Sequence, residues 1–352
     1  METILIFIAL LFIAATILPM FRTGYWLVRI FDFPRGQIAA GGLIILAFYV
    51  FGFNRANTSE LLLLIALALA VIYQLYKIYP YTFFSRRQVL DSENHDPDRL
   101  FSILVSNIYR KNRDSERFIE LVGIIKPDII CVLEPDDWWE SKLSVLNNDY
   151  PFSNRHVSSD GYGMIFYTKL KAVSSEVNFI VEDHIPSIYS VLQLRSGDKI
   201  AFYCVHPDPP NPKYSEDTDE RDAELLIIGE AVKKSRLPAV VAGDLNDVAW
   251  SHTTHLFQKM SGMLDPRIGR GLYNSFHAKN PAIRFPLDHV FVTESFRLVE
   301  LKRLPGIGSD HFPIYVKLSF EPEKKAGQLQ EKPRPDEDDT EEAREKILKA
   351  SM

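Results

Sequence analysis

Cysteine is scarce, with only Cys131 and Cys204 in 352 residues, so a fold stapled by disulfides is excluded. Unstructured composition is missing too: 46% of the residues are hydrophobic, ordinary for a folded chain. A mean hydropathy of −0.07 argues against a protein that lies mostly inside a bilayer. No internal repeat is present. The most uneven lack is of charge. The first 80 residues hold only Glu2, Arg22, Arg29, Asp32, Arg35, Arg55, Glu60 and Lys77.

Between those charges run three apolar stretches, 3–20, 36–53 and 61–76. A bilayer core takes about 20 apolar helical residues, with about 17 as the lower limit. The third run reaches that length with Tyr79 and Tyr81 at the interface, where tyrosine is favoured. A cleaved signal peptide fits poorly, because Glu2 replaces a basic start and 19–22 (Pro-Met-Phe-Arg) is no small-residue cleavage site. Three membrane helices over residues 1–80 are expected. The segment 21–35, with Tyr25, Trp26 and three arginines, suits an interfacial hairpin, and 54–60 suits a polar turn. Residues 81–98 read as a solvated linker. Residues 321–352, with ten acidic and seven basic side chains and three prolines, read as a disordered tail with a frayed helix near 341–349.

Residues 99–320 remain, enough for one domain with a sizeable core. Short apolar runs at 101–105, 129–133, 163–167, 189–194, 200–205, 239–242, 289–292 and 314–320 predict strands. Helical spacing recurs after Asp114, over 220–232 and after Ser251, and Pro127 closes the first of these helices. Many strands with few helices predict a layered α+β sandwich instead of a doubly wound parallel sheet.

Polar residues stand where the apolar strands end. Asn107, Glu134 and His206 each follow such a run, Asp244 and Asn246 follow another, and Asp310-His311 precede the last. Strand ends on one sheet edge can converge, and converging carboxylates repel unless a cation lies between them. Oxygen donors of this kind suit Mg²⁺ or Mn²⁺ better than zinc. Neighbouring histidines can act as acid or base or hold a phosphate.

These residues carry a resemblance. Asn107, the run 126–134 (Lys-Pro-Asp-Ile-Ile-Cys-Val-Leu-Glu), Gly161-Tyr162-Gly163-Met164, Val205-His206-Pro207, Gly243-Asp244-Leu245-Asn246, Leu287-Asp288-His289-Val290 and Ser309-Asp310-His311-Phe312-Pro313 stand in the order seen in one superfamily. The domain resembles the endonuclease/exonuclease/phosphatase superfamily, and the anchored layout with its 29–35 loop resembles that superfamily's bacterial YafD-like branch. The resemblance implies a four-layered α/β sandwich of the DNase I-like kind. It implies Glu134 as the main ligand of Mg²⁺ or Mn²⁺, with Asn107 and Asp310 beside it. It further implies that Asp244 orients or deprotonates water, Asn246 holds a phosphate oxygen, His311 binds the scissile phosphate, Asp288 orients His311, and His206 protonates the leaving oxygen. Leu133 stands where the family usually has Gln, and Tyr109 where AP endonucleases have Asp. Against that resemblance, so compact a domain leaves no room for the long DNA-gripping loops of the repair members, which speaks against DNA repair.

Several residues are discounted. Trp138-Trp139 is read as packing, Cys131 and Cys204 as core thiols, and His289 as facing away from Asp288 across the strand. His252, His255 and His277 are read as surface residues, while Arg155 and Arg284 stand in no pattern. Three functions compete: a membrane-anchored hydrolase of phosphate esters, lipid-linked ones included; an anchored nuclease; and a silent binding scaffold. The filled catalytic positions weaken the last. Residues 81–320 hold 28 basic and 33 acidic side chains, which disfavours a polyanion, and the anchor favours lipid-linked phosphate.

With three spans, residues 21–35 share a side with the catalytic domain. That side carries Arg22, Arg29, Arg35, Lys77, Arg86 and Arg87, against Arg55 on the other, which marks it as cytoplasmic. Reporter fusions at the end of the catalytic domain check this. A fluorescent green fluorescent protein fusion with an inactive alkaline phosphatase fusion is expected, and the reverse pair would place the domain outside.

Overall fold

The structure, a computed structural model, describes residues 2–52, 58–209 and 217–350. Residues 54–57 of the expected polar turn, Arg55 among them, lie outside the described residues. The anchor consists of helices α1 (Glu2–Ile17), α2 (Trp26–Arg29), α3 (Arg35–Gly52) and α4 (Thr58–Ile78). Two segments, Thr3–Phe21 and Thr58–Tyr81, are long and apolar enough to cross a membrane. A third span exists if Trp26–Asp32 and Arg35–Phe51, bent by 69°, form one. The bend falls at Pro34, whose nitrogen cannot donate to a preceding turn. Glycines bring the helices close: a Cβ on Gly41 would stand 2.5 Å from Phe12, and one on Gly42 2.7 Å from Val71. Phe7, Phe48, Leu62 and Ile72 remain exposed outside this bundle, an apolar belt that water would not favour.

The domain is built from two sheets. Strands β1 (Leu100–Asn107), β2 (Ile129–Leu133), β3 (Phe152–His156) and β4 (Met164–Thr168) join late strands β10 (Phe296–Arg303) and β11 (Ile314–Phe320) in the order β10-β11-β1-β2-β4-β3. Strands β5 (Lys171–Phe179), β6 (Pro186–Gln193), β7 (Lys199–Val205), β8 (Ala239–Asp244) and β9 (Asp288–Val292) form the second sheet in chain order. β1 runs parallel to β2, and β7 parallel to β8. Alternation sorts the faces. Phe101, Ile103 and Val105 meet Phe202, Cys204 and Val240 between the sheets, whereas Leu104, Ile130 and Val132 turn outward onto Phe118 and Trp139. Those last two lie on α5 (Ser115–Ile125) and α6 (Asp137–Leu143), each capped by an aspartate, Asp114 or Asp136. Behind the second sheet, Val205, Val241 and Phe291 pack on α7 (Asp219–Lys234) and α8 (His252–Ser261). The result is helix, sheet, sheet, helix. Cys131 and Cys204 are free thiols buried in the central layer.

Three segments differ from the sequence reading. The expected linker is a strap: Val89 is fully buried, and Leu90 and Ser92 exchange backbone hydrogen bonds with Leu298 on β10. The expected disordered tail carries α9 (Glu337–Ala350), whose Ala343 and Ile347 pack on Leu226, Leu256 and Met260. Its acidic side chains find partners that the sequence does not reveal, Lys259 for Asp339 and His252 for Glu342.

The third difference is the hairpin. Only Arg22 of its three arginines is exposed. Arg35 pairs with Asp32 and donates to Gln74 Oε1 on α4, whose amide in turn donates to Thr16 on α1. Arg29 leaves the anchor altogether. Its Nη2 donates to Asp247 Oδ2 at 2.9 Å and to Thr253 Oγ1 at 3.1 Å in the catalytic domain. Asp222 stands 3.9 Å away and also accepts from Arg221, Thr253 and Lys346 of α9. Burial alone would raise the Asp222 carboxyl; Arg221, Arg29 and Lys346 reverse this and hold it far below the usual carboxylate range. Removing one partner from a buried ion cluster costs about 3–5 kcal/mol, because the other charges stay buried. Arg29→Ala is therefore expected to lower the melting temperature of the detergent-solubilised protein by many degrees, and Arg29→Lys by less. An unchanged melting curve for Arg29→Ala would show that the contact bears no load.

Candidate active site

Five strand ends meet at one edge of the two sheets. β1 ends on Asn107, whose Nδ2 donates to Glu134 Oε1 at 2.8 Å and to Asp244 Oδ2 at 3.1 Å. Glu134 follows β2 with φ of +64°, a left-handed turn that aims its carboxylate back over the edge. That turn is held by Glu134 N donating to the carbonyl of Gly163, where a Cβ would strike Pro135 O at 1.9 Å. β8 ends on Asp244, directly opposite Asp288 at the start of β9. Asn246, also left-handed, donates its backbone N–H to Asp244 Oδ1 and its side-chain Nδ2 to Pro207 O, beside His206 at the end of β7.

His311 ties these ends together. Its Nδ1 lies 2.8 Å from Asp288 Oδ2 and its Nε2 3.5 Å from Asp244 Oδ2. Burial by itself would depress the imidazole; Asp244 and Asp288 overcome this and raise its pKa to about 10, so the ring is a cation. Burial pushes the Asp244 carboxyl up to about 6, with His311 drawing it down and Asp288 pushing it up. The ring of His311 rests 5.0 Å from that of Phe276. Asp310 joins through Ser309, whose hydroxyl donates to the carbonyl of Asn107 at 2.8 Å.

The residues singled out in the sequence thus lie together: Asn107, Glu134, Asp244, Asn246, Asp288 and His311 in one chain of direct contacts, His206 and Asp310 through their neighbours. His289 turns the other way, with Nε2 2.9 Å from Asp247 O, and burial holds it neutral beside Arg267. Trp139 is buried, donating its indole N–H to Asn112 O. Leu133, in the place of the usual Gln, faces the inter-sheet core and can hold no ligand. Sequence reasoning missed Ser275, whose hydroxyl accepts from Leu287 N and Asp288 N, and Arg221, whose Nη1 donates to Asn246 O at 3.0 Å. Neither stands in a motif, and only the fold brings them to the site.

The donor set fits a hard divalent cation. Asp244 and Asp288 share a single imidazole, that of His311, and Asp288 Oδ1 is buried with no hydrogen-bond partner among the described residues. Asp244, Asp288 and His311 offer ligand atoms within 4.8 Å of one another. In that group His311 already supplies the counter-charge. Glu134 has none: its oxygens accept only from Asn107 Nδ2 and Arg110 N among the described residues. The Glu134 side is the better seat, and its oxygen donors favour Mg²⁺ or Mn²⁺.

Residues 104–311 match the Endonuclease/Exonuclease/phosphatase family. A curated relative, the UPF0294 protein of Vibrio campbellii (strain ATCC BAA-1116), is 22% identical over 250 residues, 67% of this chain and 82% of its own. Among solved structures, the human Nocturnin catalytic domain with bound sulfate has a TM-score of 0.53 at 15% identity, covering 68% of this chain and 98% of that one. D. rerio TDP2 complexed with single strand DNA product has a TM-score of 0.52 at 16% identity, covering 62% and 99%. The endonuclease/exonuclease/phosphatase from Bacteroides vulgatus has 0.51 at 20%, covering 63% and 99%. These likenesses show the two-sheet fold.

Proposed function

We propose that this chain, which belongs to the Endonuclease/Exonuclease/phosphatase family, is a membrane-anchored phosphoester hydrolase that uses Mg²⁺ or Mn²⁺ and in-line attack by water. The observation that carries this reading is the imidazole of His311 held between Asp244 and Asp288 at the edge where Asn107 and Glu134 also end. Glu134, Asn107 and Asp310 would hold the ion, which supplies Lewis-acid stabilisation of charge on the phosphate. His311 binds a phosphate oxygen and offsets the charge that develops there, with Asp288 fixing its orientation through Nδ1. Asp244, buried and 3.5 Å from His311 Nε2, orients water and takes its proton. Asn246 offers its amide to a second oxygen from a backbone set by Arg221. His206, its Nδ1 buried without a partner among the described residues, donates a proton to the leaving oxygen.

The anchor favours substrates at the membrane surface. Gln37, in the first turns of α3, donates to Ala282 O, and Phe33 packs edge-on against Phe285, so the loop bearing Phe276 leans on the anchor. A lipid-linked phosphate ester is the substrate class this placement suits, on the cytoplasmic side by the Lys and Arg bias. A screen of the full chain against phosphoinositides, prenyl pyrophosphates, sphingomyelin, DNA and RNA separates it from the nuclease reading.

Activity on any of these is expected to need Mg²⁺ or Mn²⁺ and to vanish in EDTA. Glu134→Gln should raise the metal concentration needed while leaving the melting temperature near wild type. Full activity in excess chelator would remove the ion from the mechanism.

His311→Ala should cost about 10² or more in rate, the usual scale for a lost acid–base or charge-stabilising group. Asp288→Asn should cost less, since Asp288 acts through His311. Wild-type turnover by a folded His311→Ala protein would exclude that role.

A further inference from the structure

Arg284 stands in no sequence pattern, but the fold supplies one. Arg284, in the loop before β9, and Arg303, the last residue of β10, both hold their guanidinium carbons over the ring of Phe312, 5.2 and 4.5 Å from its centroid. Phe312 directly follows His311. Lys279, in the same loop, lies 5.9 Å over the ring of Tyr109, two residues beyond Asn107. The loop is fastened to the site by Ala278 N donating to Asp310 O and Phe312 N donating to Ser275 O.

None of these three cations forms an ion pair among the described residues, in a domain where acidic side chains outnumber basic ones. Arg284 Nη2 donates to Ala278 O and Arg303 Nη1 to Asn274 O, contacts that orient the guanidinium groups without neutralising them. Arg284 Nε is buried with no acceptor among the described residues. Burial first, and the charge of Arg284 second, push the Arg303 pKa down. Paired guanidinium groups with free donors match the oxygens of a phosphate.

We propose that Arg284, Arg303 and Lys279 form a second anion subsite, which takes a phosphate carried by the substrate next to the one that His311 binds. This rests on the hydrolase reading and narrows it to esters with two neighbouring phosphates, a pyrophosphate or a phosphodiester chain. An ester with one phosphate leaves the subsite unfilled.

The test uses the full chain in detergent at fixed free Mg²⁺, with bis(4-nitrophenyl) phosphate as reporter. Pyrophosphate is expected to inhibit at least tenfold more tightly than orthophosphate, and Arg284→Gln/Arg303→Gln should erase that difference. Lys279→Gln, at an exposed side chain, should reduce it. Equal inhibition by the two anions in the wild type overturns the proposal. So does a double variant that keeps the pyrophosphate preference and differs only in proteoliposomes containing phosphatidylglycerol, because the bound phosphate is then a lipid headgroup. If the wild type hydrolyses no ester, the hydrolase reading fails and the subsite is read by melting temperature. A pyrophosphate-induced rise that the double variant loses then supports the subsite, and no rise in the wild type overturns it.

Discussion

The buried contact of Arg29 with Asp247 is the constraint on which the rest of the molecule leans. A guanidinium from the 21–35 hairpin enters the domain one residue beyond Asn246 and meets two carboxylates there. Asp222 could not stay ionised in that place without cations, since burial favours the neutral acid. Arg221 and Lys346 supply the others, one from α7 and one from α9. Anchor, catalytic loop and carboxy-terminal helix are therefore joined by one set of charges. A purely apolar contact would tolerate sliding, whereas bidentate and buried ion pairs fix both distance and angle.

The same logic organises the catalytic edge with the opposite sign. There the carboxylates outnumber the cations, and among the described residues His311 is the only ion-pair partner of Asp244 and Asp288. A site short of positive charge attracts a metal ion. A phosphate ester, itself an anion, can approach only once that shortage is made good. The Arg29 cluster lies within the same 244–247 turn but keeps its charges closed in ion pairs. Separating the two keeps the structural cations away from the substrate and leaves His311 unscreened.

Most of the fold was legible in the sequence, because strands of five to eight residues buried on both faces are nearly continuous apolar runs. The edge strands β3 and β5 were not, since their half-exposed residues carry little of that signal. The residues of the candidate site were legible because each is tied to a strand end, a local feature with a local signature. The packing of residues 81–98 and of helix α9 onto the domain was missed for one reason. Their composition is that of solvated chain, and their order comes from partners far away in sequence: Gln328 for Leu90, Lys259 for Asp339 and Asp222 for Lys346. Arg29 and Arg35 misled similarly. Near a membrane an arginine is ordinarily read as facing headgroups, and only the fold shows that these two face acids.

The anchor reaches His311 from two sides. Through Arg29 it holds Asp247, whose carbonyl accepts from His289, the neighbour of Asp288. Through Phe33 and Gln37 it supports the loop whose Phe276 lies against the His311 ring. Arg29 precedes the bend at Pro34, Phe33 adjoins it and Gln37 follows it. A change in that bend would therefore move Asp247 and Phe276 relative to each other, shifting His311 against Asp244 across a gap that is already 3.5 Å. Trp250 guards the angle, its indole N–H donating to Asp32 O at 2.7 Å beside the buried ring of Tyr81. The geometry of the His311–Asp244 pair is thus set in part by how the hairpin folds, and the amino-terminal helices belong to the architecture of the candidate site.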